Sequence, residues 1–416
     1  MPTARRRWLL GRGERTDLAV VAVVTLIVLA GGWWARARCL GGGWTGGEQF
    51  YGYCYSDVAP LWSQRGLDDG AGPYGAEPLE YPPVLAVRIW LAAFLAHLLP
   101  GAPGVLTFAA TNGLLVVAEV LVILSLLRRL GLGRTRLLWW AAAPALFLYA
   151  FYNWDTLPLA LLLGAILLHV RSRHTASGVV AGLGAAAKVF PGFLVPLVVL
   201  ALLARGRYRA AALHGGAALL TFVAAHLPGY LLAPDGWDRF HELSRSRGMH
   251  VDSLWYLLAQ VGGPDLGRGA LGVVSLGAFA LSATAVVALG VRRRRPEDWW
   301  QLVLPVLVCF LLANKVYSPQ YTLWLVPLMA LVLRRAAPFV AVVLADVLVH
   351  AVEFPHLAGR AGYGDGLPYW VLGTAVALRA AALGWMAVEV LRHPPGSPPG
   401  RQPVPQVQEL AIRRDP

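Results

Sequence analysis

Only two of the 36 basic residues in this 416-residue chain are lysines, Lys188 and Lys315; the rest are arginines. Lys188 lies in Ala185-Ala186-Ala187-Lys188-Val189-Phe190-Pro191, and Lys315 in Asn314-Lys315-Val316-Tyr317-Ser318-Pro319-Gln320-Tyr321. Arginine snorkels from a membrane as well as lysine does, so the choice of a compact ammonium suits a single phosphate oxygen met in a tight place. The bland alternatives are a snorkelling Lys188 and an ordinary polar hairpin turn at Lys315. Asp57, in Tyr55-Ser56-Asp57, can act as a general base towards a hydroxyl; an aspartate in such a loop equally caps a helix or a turn. Asp155, Arg245, Tyr317, Gln320 and His350 complete the candidate substrate-binding set. His350 shares a helix face with Asp346 and Glu353 by spacings of four and three. Glu119, Asp346 and Arg379 fall mid-segment, where a lone charge is costly, so Arg379 is expected to pair with Asp346 or Glu119. The prolines of Glu80-Tyr81-Pro82-Pro83 fix a helix start, and the stretch is assigned no chemistry.

These residues need elements to hold them. The chain is 57% hydrophobic and 14% charged, too apolar for a soluble enzyme or a disordered chain. Its apolar stretches are continuous rather than alternating, which excludes a β-barrel. An all-α polytopic membrane protein remains. Apolar segments run at Val20–Trp34, Val84–Leu99, Val105–Leu127, Leu137–Tyr152, Leu157–Val170, Val179–Phe190, Gly192–Ala204, Ala210–Leu227, Leu271–Val291, Trp299–Ala313, Thr322–Leu333, Ala337–Val352 and Tyr369–Leu391.

The net charge of +13 comes from short arginine clusters between these segments, the positive-inside pattern, and nucleic acid is not an expected partner. Treating 84–99 as a helix in the outer interface puts 15 basic residues on the inner loops and seven on the outer ones. The expectation is about twelve transmembrane helices with an outer-surface juxtamembrane helix, both termini cytoplasmic, in a bacterial plasma membrane. Residues 1–391 form one membrane-embedded domain with a first outer loop at 35–83, and 392–416 a disordered cytoplasmic tail. The 16 tryptophans cluster at segment ends and read as an interfacial belt. Cys39 and Cys54 share the first outer loop and can close a disulfide on an oxidising side; Cys309 lies in an apolar run. With this topology the candidate site residues collect on the outer face.

Ser56-Asp57, Glu80-Tyr81-Pro82-Pro83, the run from Gly182-Leu183-Gly184 to Lys188-Val189-Phe190-Pro191, and above all Lys315-Val316-Tyr317-Ser318-Pro319-Gln320-Tyr321 resemble glycosyltransferase family 87. That is a GT-C membrane family that includes polyprenol-phosphate-mannose-dependent α-1,2-mannosyltransferases of phosphatidylinositol mannoside synthesis. The resemblance runs from about Leu18 to Leu391. It implies a GT-C-like helical bundle, a polyprenyl-phosphate sugar donor, most simply mannose, a lipid-linked or glycolipid acceptor, and a catalytic acid that Asp57 matches. The double acidic motif of some GT-C relatives is absent, since Ser56 and Val58 flank Asp57, so no cofactor and no divalent metal is expected. A phosphate leaving group needs cations more than a general acid, which suits Lys188, Lys315 and Arg245. One base with in-line displacement inverts the anomeric centre, by analogy with inverting glycosidases. The rival readings are a twelve-span secondary transporter, with two similar halves and midplane binding residues, and a non-catalytic membrane scaffold.

Overall fold

A computed structural model describes residues 12–393 apart from 42, 43, 45, 102 and 265. The expected tail after Arg392 lies outside the described residues, save for His393. Among them there is no strand, and every apolar segment read from the sequence is helical. In chain order the helices are α1 (Arg12–Ala37), α2 (Glu48–Tyr51), α3 (Val58–Gln64), α4 (Pro83–His97), α5 (Val105–Arg129), α6 (Arg134–Ala141), α7 (Pro144–Tyr149), α8 (Thr156–Val170), α9 (His174–Ala187) and α10 (Leu194–Ala204). Then follow α11 (Tyr208–Leu232), α12 (Pro234–Ser246), α13 (Leu254–Gln260), α14 (Arg268–Val291), α15 (Val303–Ala313), α16 (Thr322–Val332), α17 (Ala336–Arg360) and α18 (Tyr369–Arg392).

Among the described residues, seven segments are long and apolar enough to cross a bilayer: Asp17–Ala37, α5, α11, α14, Pro296–Ala313, α17 and α18. Four shorter apolar helical stretches, Pro83–His97, Thr156–Val170, Phe190–Ala204 and Pro319–Val332, stand beside them. The expectation of twelve crossings therefore rests on the short helices. The long helices α11 and α14 present Leu220, Leu232, Leu276 and Leu281 to the surroundings, as helices against lipid do. This is a multi-pass membrane protein.

Prolines and glycines set the breaks that matter for the site. The 137–152 segment is two helices, because Pro144 lacks the N–H that would continue α6 and opens α7 instead. Helix α9 ends at Lys188, whose backbone is extended (φ −160°, ψ 147°), and a 3-10 turn over Phe190–Phe193 redirects the chain into α10. Gly184 permits that reversal: a Cβ there would lie 2.8 Å from Pro191. On the opposite side of α9, Gly178 and Gly182 let α11 approach closely. A Cβ at either would sit 2.2 Å from a carbonyl oxygen, of His214 or Ala218. This is small-residue packing of membrane helices, where close backbone contact replaces a hydrophobic driving force.

Several expectations change. In α4, which covers the expected interfacial segment 84–99, Arg88 is buried and bonds the Glu119 carboxylate at 2.9 Å, with Asn112 and Thr156 completing the network. Helix α4 buries Leu85, Ile89 and Ala92 and exposes Val87, Leu91 and Phe94. Glu119 is thus not available to Arg379. Arg379 bonds Asp252 at 3.0 Å and approaches Asp346 at 3.9 Å. Of the tryptophans expected in an interfacial belt, Trp34 and Trp370 are exposed. Trp140, Trp154 and Trp324 are instead fully buried core residues, because helix packing claims the apolar rings before the interface does.

Candidate active site

Six connections between helices converge on one cavity of about 580 Å³. They lie between α2 and α3, α3 and α4, α7 and α8, α9 and α10, α12 and α13, and α15 and α16. Of the residues singled out from the sequence, Asp57, Lys188, Lys315 and Gln320 all lie on the cavity wall.

Asp57 is fixed from both sides. The expected disulfide joins Cys39 to Cys54, three residues upstream, with Cα atoms 6.1 Å apart. Buried Arg36, at the end of α1, donates to the carbonyls of Tyr53 and Leu148 and so ties the loop to α7. The Ser56 hydroxyl donates to the Phe151 carbonyl at 2.9 Å, and the Asp57 N–H to the Tyr152 carbonyl at 2.9 Å. Asp57 occupies the N-cap position of α3, but its side chain makes no capping bond. Its carboxylate instead accepts from the Tyr55 hydroxyl (2.8 Å) and the Asn153 amide (2.6 Å). The helix-capping alternative is thereby removed. Burial pushes the Asp57 carboxyl above the usual aspartate range, while Tyr55, Asn153 and nearby Lys188 pull the other way. Asp57 makes no ion pair among the described residues, and a carboxylate with raised proton affinity can accept a proton.

The cations differ among themselves. Lys188 forms an ion pair with Asp155, which is itself buried to 1% exposure, and its ammonium sits about 5 Å from both the Tyr321 and Trp324 rings (5.2 and 5.1 Å). Much of its charge is already answered. Asp155 lies behind the wall as its counter-ion. Lys315 is less committed: its ammonium donates to the Arg245 carbonyl at 3.3 Å. Burial, with Arg247 and Arg268 nearby, lowers its pKa from the ordinary lysine value. Arg245 itself is outside the wall, exposed, and bonds Asp238 at 3.2 Å. Its neighbour Arg247 lines the cavity and makes no ion pair among the described residues. Gln320 is buried with an unpartnered side-chain oxygen. Glu80, given no chemistry from the sequence, lines the cavity and is neutralised by Arg65 at 2.7 and 2.9 Å.

Tyr317 and His350 are off the wall. Tyr317 packs under the Arg379 guanidinium, 3.7 Å from ring centre to charge, and burial pushes its hydroxyl up to about 12. His350 is buried among Tyr53, Tyr149 and Phe354, with neither ring nitrogen bonded.

Sequence reasoning missed His250 and Asp252. His250 lines the cavity and its Nδ1 bonds the Asp252 carboxylate, whose other oxygen accepts from Arg379. The single-residue spacing of a histidine and an aspartate in a polar loop was the available signal. His250, Asp252 and Glu353 each bring a ligand atom within 4.8 Å of the others, the composition of a metal site. Arg379 also bonds the central carboxylate, at 3.0 Å, and so brings a positive charge of the protein's own to it.

No curated protein matches the chain by sequence. Similar solved structures include ArnT from Cupriavidus metallidurans bound to undecaprenyl phosphate. It is 15% identical, with 91% of this chain and 76% of that chain covered and a TM-score of 0.43. Another is the oligosaccharyltransferase of Archaeoglobus fulgidus in the apo form, 12% identical, with 94% and 57% covered and a TM-score of 0.40. The sequence model of Glycosyltransferase family 87 matches residues 79–314, more than half of the chain and most of the cavity-forming connections. The chain is therefore a membrane glycosyltransferase and belongs to glycosyltransferase family 87.

Proposed function

We propose that the protein transfers a sugar, mannose in the first instance, from a polyprenyl-phosphate donor to a hydroxyl of a glycolipid or glycan acceptor, with inversion, on the extracytoplasmic side of the membrane. The observation that carries this reading is a single cavity with an unpaired carboxylate, Asp57, and the cations Lys315 and Arg247 on its wall. Family membership favours it over the transporter and scaffold alternatives. The acceptor O–H gives its proton to Asp57 as its oxygen attacks the anomeric carbon. The bond from that carbon to phosphate breaks, and its electron pair goes to the phosphate oxygen. The leaving group passes from a diester monoanion to a monoester dianion, so cations that meet the growing charge lower the barrier.

Lys315 and Arg247 are assigned to that phosphate. Lys188, held by Asp155, contributes part of its charge and orients the aromatic wall of Tyr321 and Trp324. Asp155 thus acts through Lys188, and Arg245 through the carbonyl that holds Lys315. Gln320 offers its unpartnered amide oxygen to a sugar hydroxyl. No divalent metal enters this scheme, since the cavity carries its own cations. Purified protein in lipid nanodiscs, given polyprenyl-phosphate mannose and a panel of glycolipid acceptors, tests the proposal. The expected product carries a new α-mannosyl group by mass spectrometry and NMR. Absence of turnover with every polyprenyl-phosphate sugar offered would contradict it.

A further inference from the structure

We propose that His250 is a further catalytic residue: charged by its contact with Asp252, it donates from its free ring nitrogen to the phosphate oxygen that receives the electron pair. The proposal rests on the reading of the cavity as a site for a lipid-linked phosphosugar. Its own support is geometric. His250 occupies the cavity wall with the base Asp57 and the cations Lys315 and Arg247. Its Nδ1 is bonded to Asp252, so a neutral ring would carry the Nδ1 proton and leave the other nitrogen a bare acceptor; only the imidazolium donates on both sides. The His250 N–H also donates to the Lys315 carbonyl at 2.9 Å, and the Trp255 indole to the Ala313 carbonyl at 2.7 Å. The loop that carries His250 and Arg247 is thereby stitched to the connection that carries Lys315. Three cations from two stretches of chain form one rigid bank.

The groups around the ring favour its charge. Asp252 is in contact from the same loop and Glu353 faces it from α17. Arg379 on α18 opposes, and Lys315 and Arg247 border the same cavity. Burial works against the imidazolium, but the Asp252 carboxylate, with Glu353 behind it, holds the His250 pKa above the ordinary histidine value. The side chain is 32% exposed and belongs to a cavity-lining residue, whereas Asp252 is fully buried, so the ring keeps an open side while its counter-ion is sealed. A histidine in this position changes its contribution with pH, whereas a third lysine or arginine would not. As the phosphate gains its second negative charge, an imidazolium at that oxygen stabilises the transition state more than the ground state. The effect therefore falls on kcat more than on KM.

The test is the pH profile of turnover with a polyprenyl-phosphate sugar, whose diester phosphate does not itself titrate in the range. Wild type should show an alkaline limb as His250 loses its proton, and an acid limb set by Asp57. His250→Gln should lower kcat about 10- to 100-fold with a smaller change in KM for the donor, and should remove the alkaline limb while leaving the acid one. His250→Lys should recover part of kcat and move the limb to higher pH. Monodispersity and thermal unfolding check that the variants are folded, and His250→Asn, which keeps a donor towards Asp252, serves if the Gln variant is not. A His250→Gln profile like wild type overturns the proposal and leaves the donor reading intact. A wild type that turns over no polyprenyl-phosphate sugar overturns both. Activity lost with a chelator and restored by a divalent metal also overturns it, reassigning His250, Asp252 and Glu353 to an ion.

Discussion

Asp57 and Asp252 are carboxylates of the same polar end of the molecule, and they are held in opposite ways. Asp57 is bonded by neutral donors, the Tyr55 hydroxyl and the Asn153 amide, and stands on the cavity wall. Asp252 is sealed in the protein and bonded by Arg379 and His250. Burial raises the proton affinity of both, but the two charged partners reverse that at Asp252 and hold it below the usual aspartate value. The first arrangement leaves a carboxylate that can accept a proton. The second fixes one that cannot, and spends it on orienting other groups. The comparison teaches that partner charge, more than burial, separates a reactive acid from a structural one here.

The contrast is broken most severely at Arg379. Arg379→Ala leaves Asp252 and Asp346 buried without their shared cation, a change that costs about 3–5 kcal/mol when a buried pair loses one partner. The expected outcome is a large drop in the unfolding midpoint or loss of folded protein, partly relieved by Asp252→Asn in the same chain. An unchanged midpoint in detergent would show that the network is not structural.

Lys188→Ala separates pairing from catalysis in the same way. It strands Asp155 and should destabilise by about 2 kcal/mol, the scale of a hydrogen bond to a charged group. Adding Asp155→Asn should return most of the stability. Turnover that returns with it would assign the pair a positioning role only.

Lys315→Ala sharpens the site from the other side. Its ammonium makes one bond to a carbonyl, so the unfolding midpoint should stay within a degree or two while kcat falls roughly 10- to 100-fold. Lys315→Arg should recover activity in part, because a planar fork does not reproduce a point charge.

The smallest effect is expected at Asn153. Its side-chain oxygen accepts from the Trp154 N–H, which aims the amide nitrogen at Asp57. Asn153→Ala removes one of two donors that favour the ionised carboxylate. The acid limb of turnover should then move to higher pH, with a loss of about tenfold near neutrality.

Much of this was legible in the sequence. Apolar runs gave the helices, the scarcity of lysine singled out Lys188 and Lys315, and Cys39 and Cys54 paired as their shared loop suggested. The partnerships were harder. Asp155 meets Lys188, Arg88 meets Glu119 and Arg379 meets Asp252 across 33, 31 and 127 positions, distances set by helix packing that no local pattern encodes. His350 and Tyr317 carried polar atoms on the right helix face or turn, yet packing turned both away from the cavity. Pro144 was read within one apolar run because hydropathy does not register the missing N–H that splits α6 from α7.

The central claim is that Asp57 is the base, and the most direct test is turnover by Asp57→Asn. The substitution keeps the shape and the bonds towards Tyr55 and Asn153 in large part and removes the basicity. With polyprenyl-phosphate mannose and an accepted glycolipid, kcat should fall about 10²- to 10⁴-fold while the unfolding midpoint and KM for the donor stay near wild type. Near-normal turnover by the folded Asn variant would contradict the account.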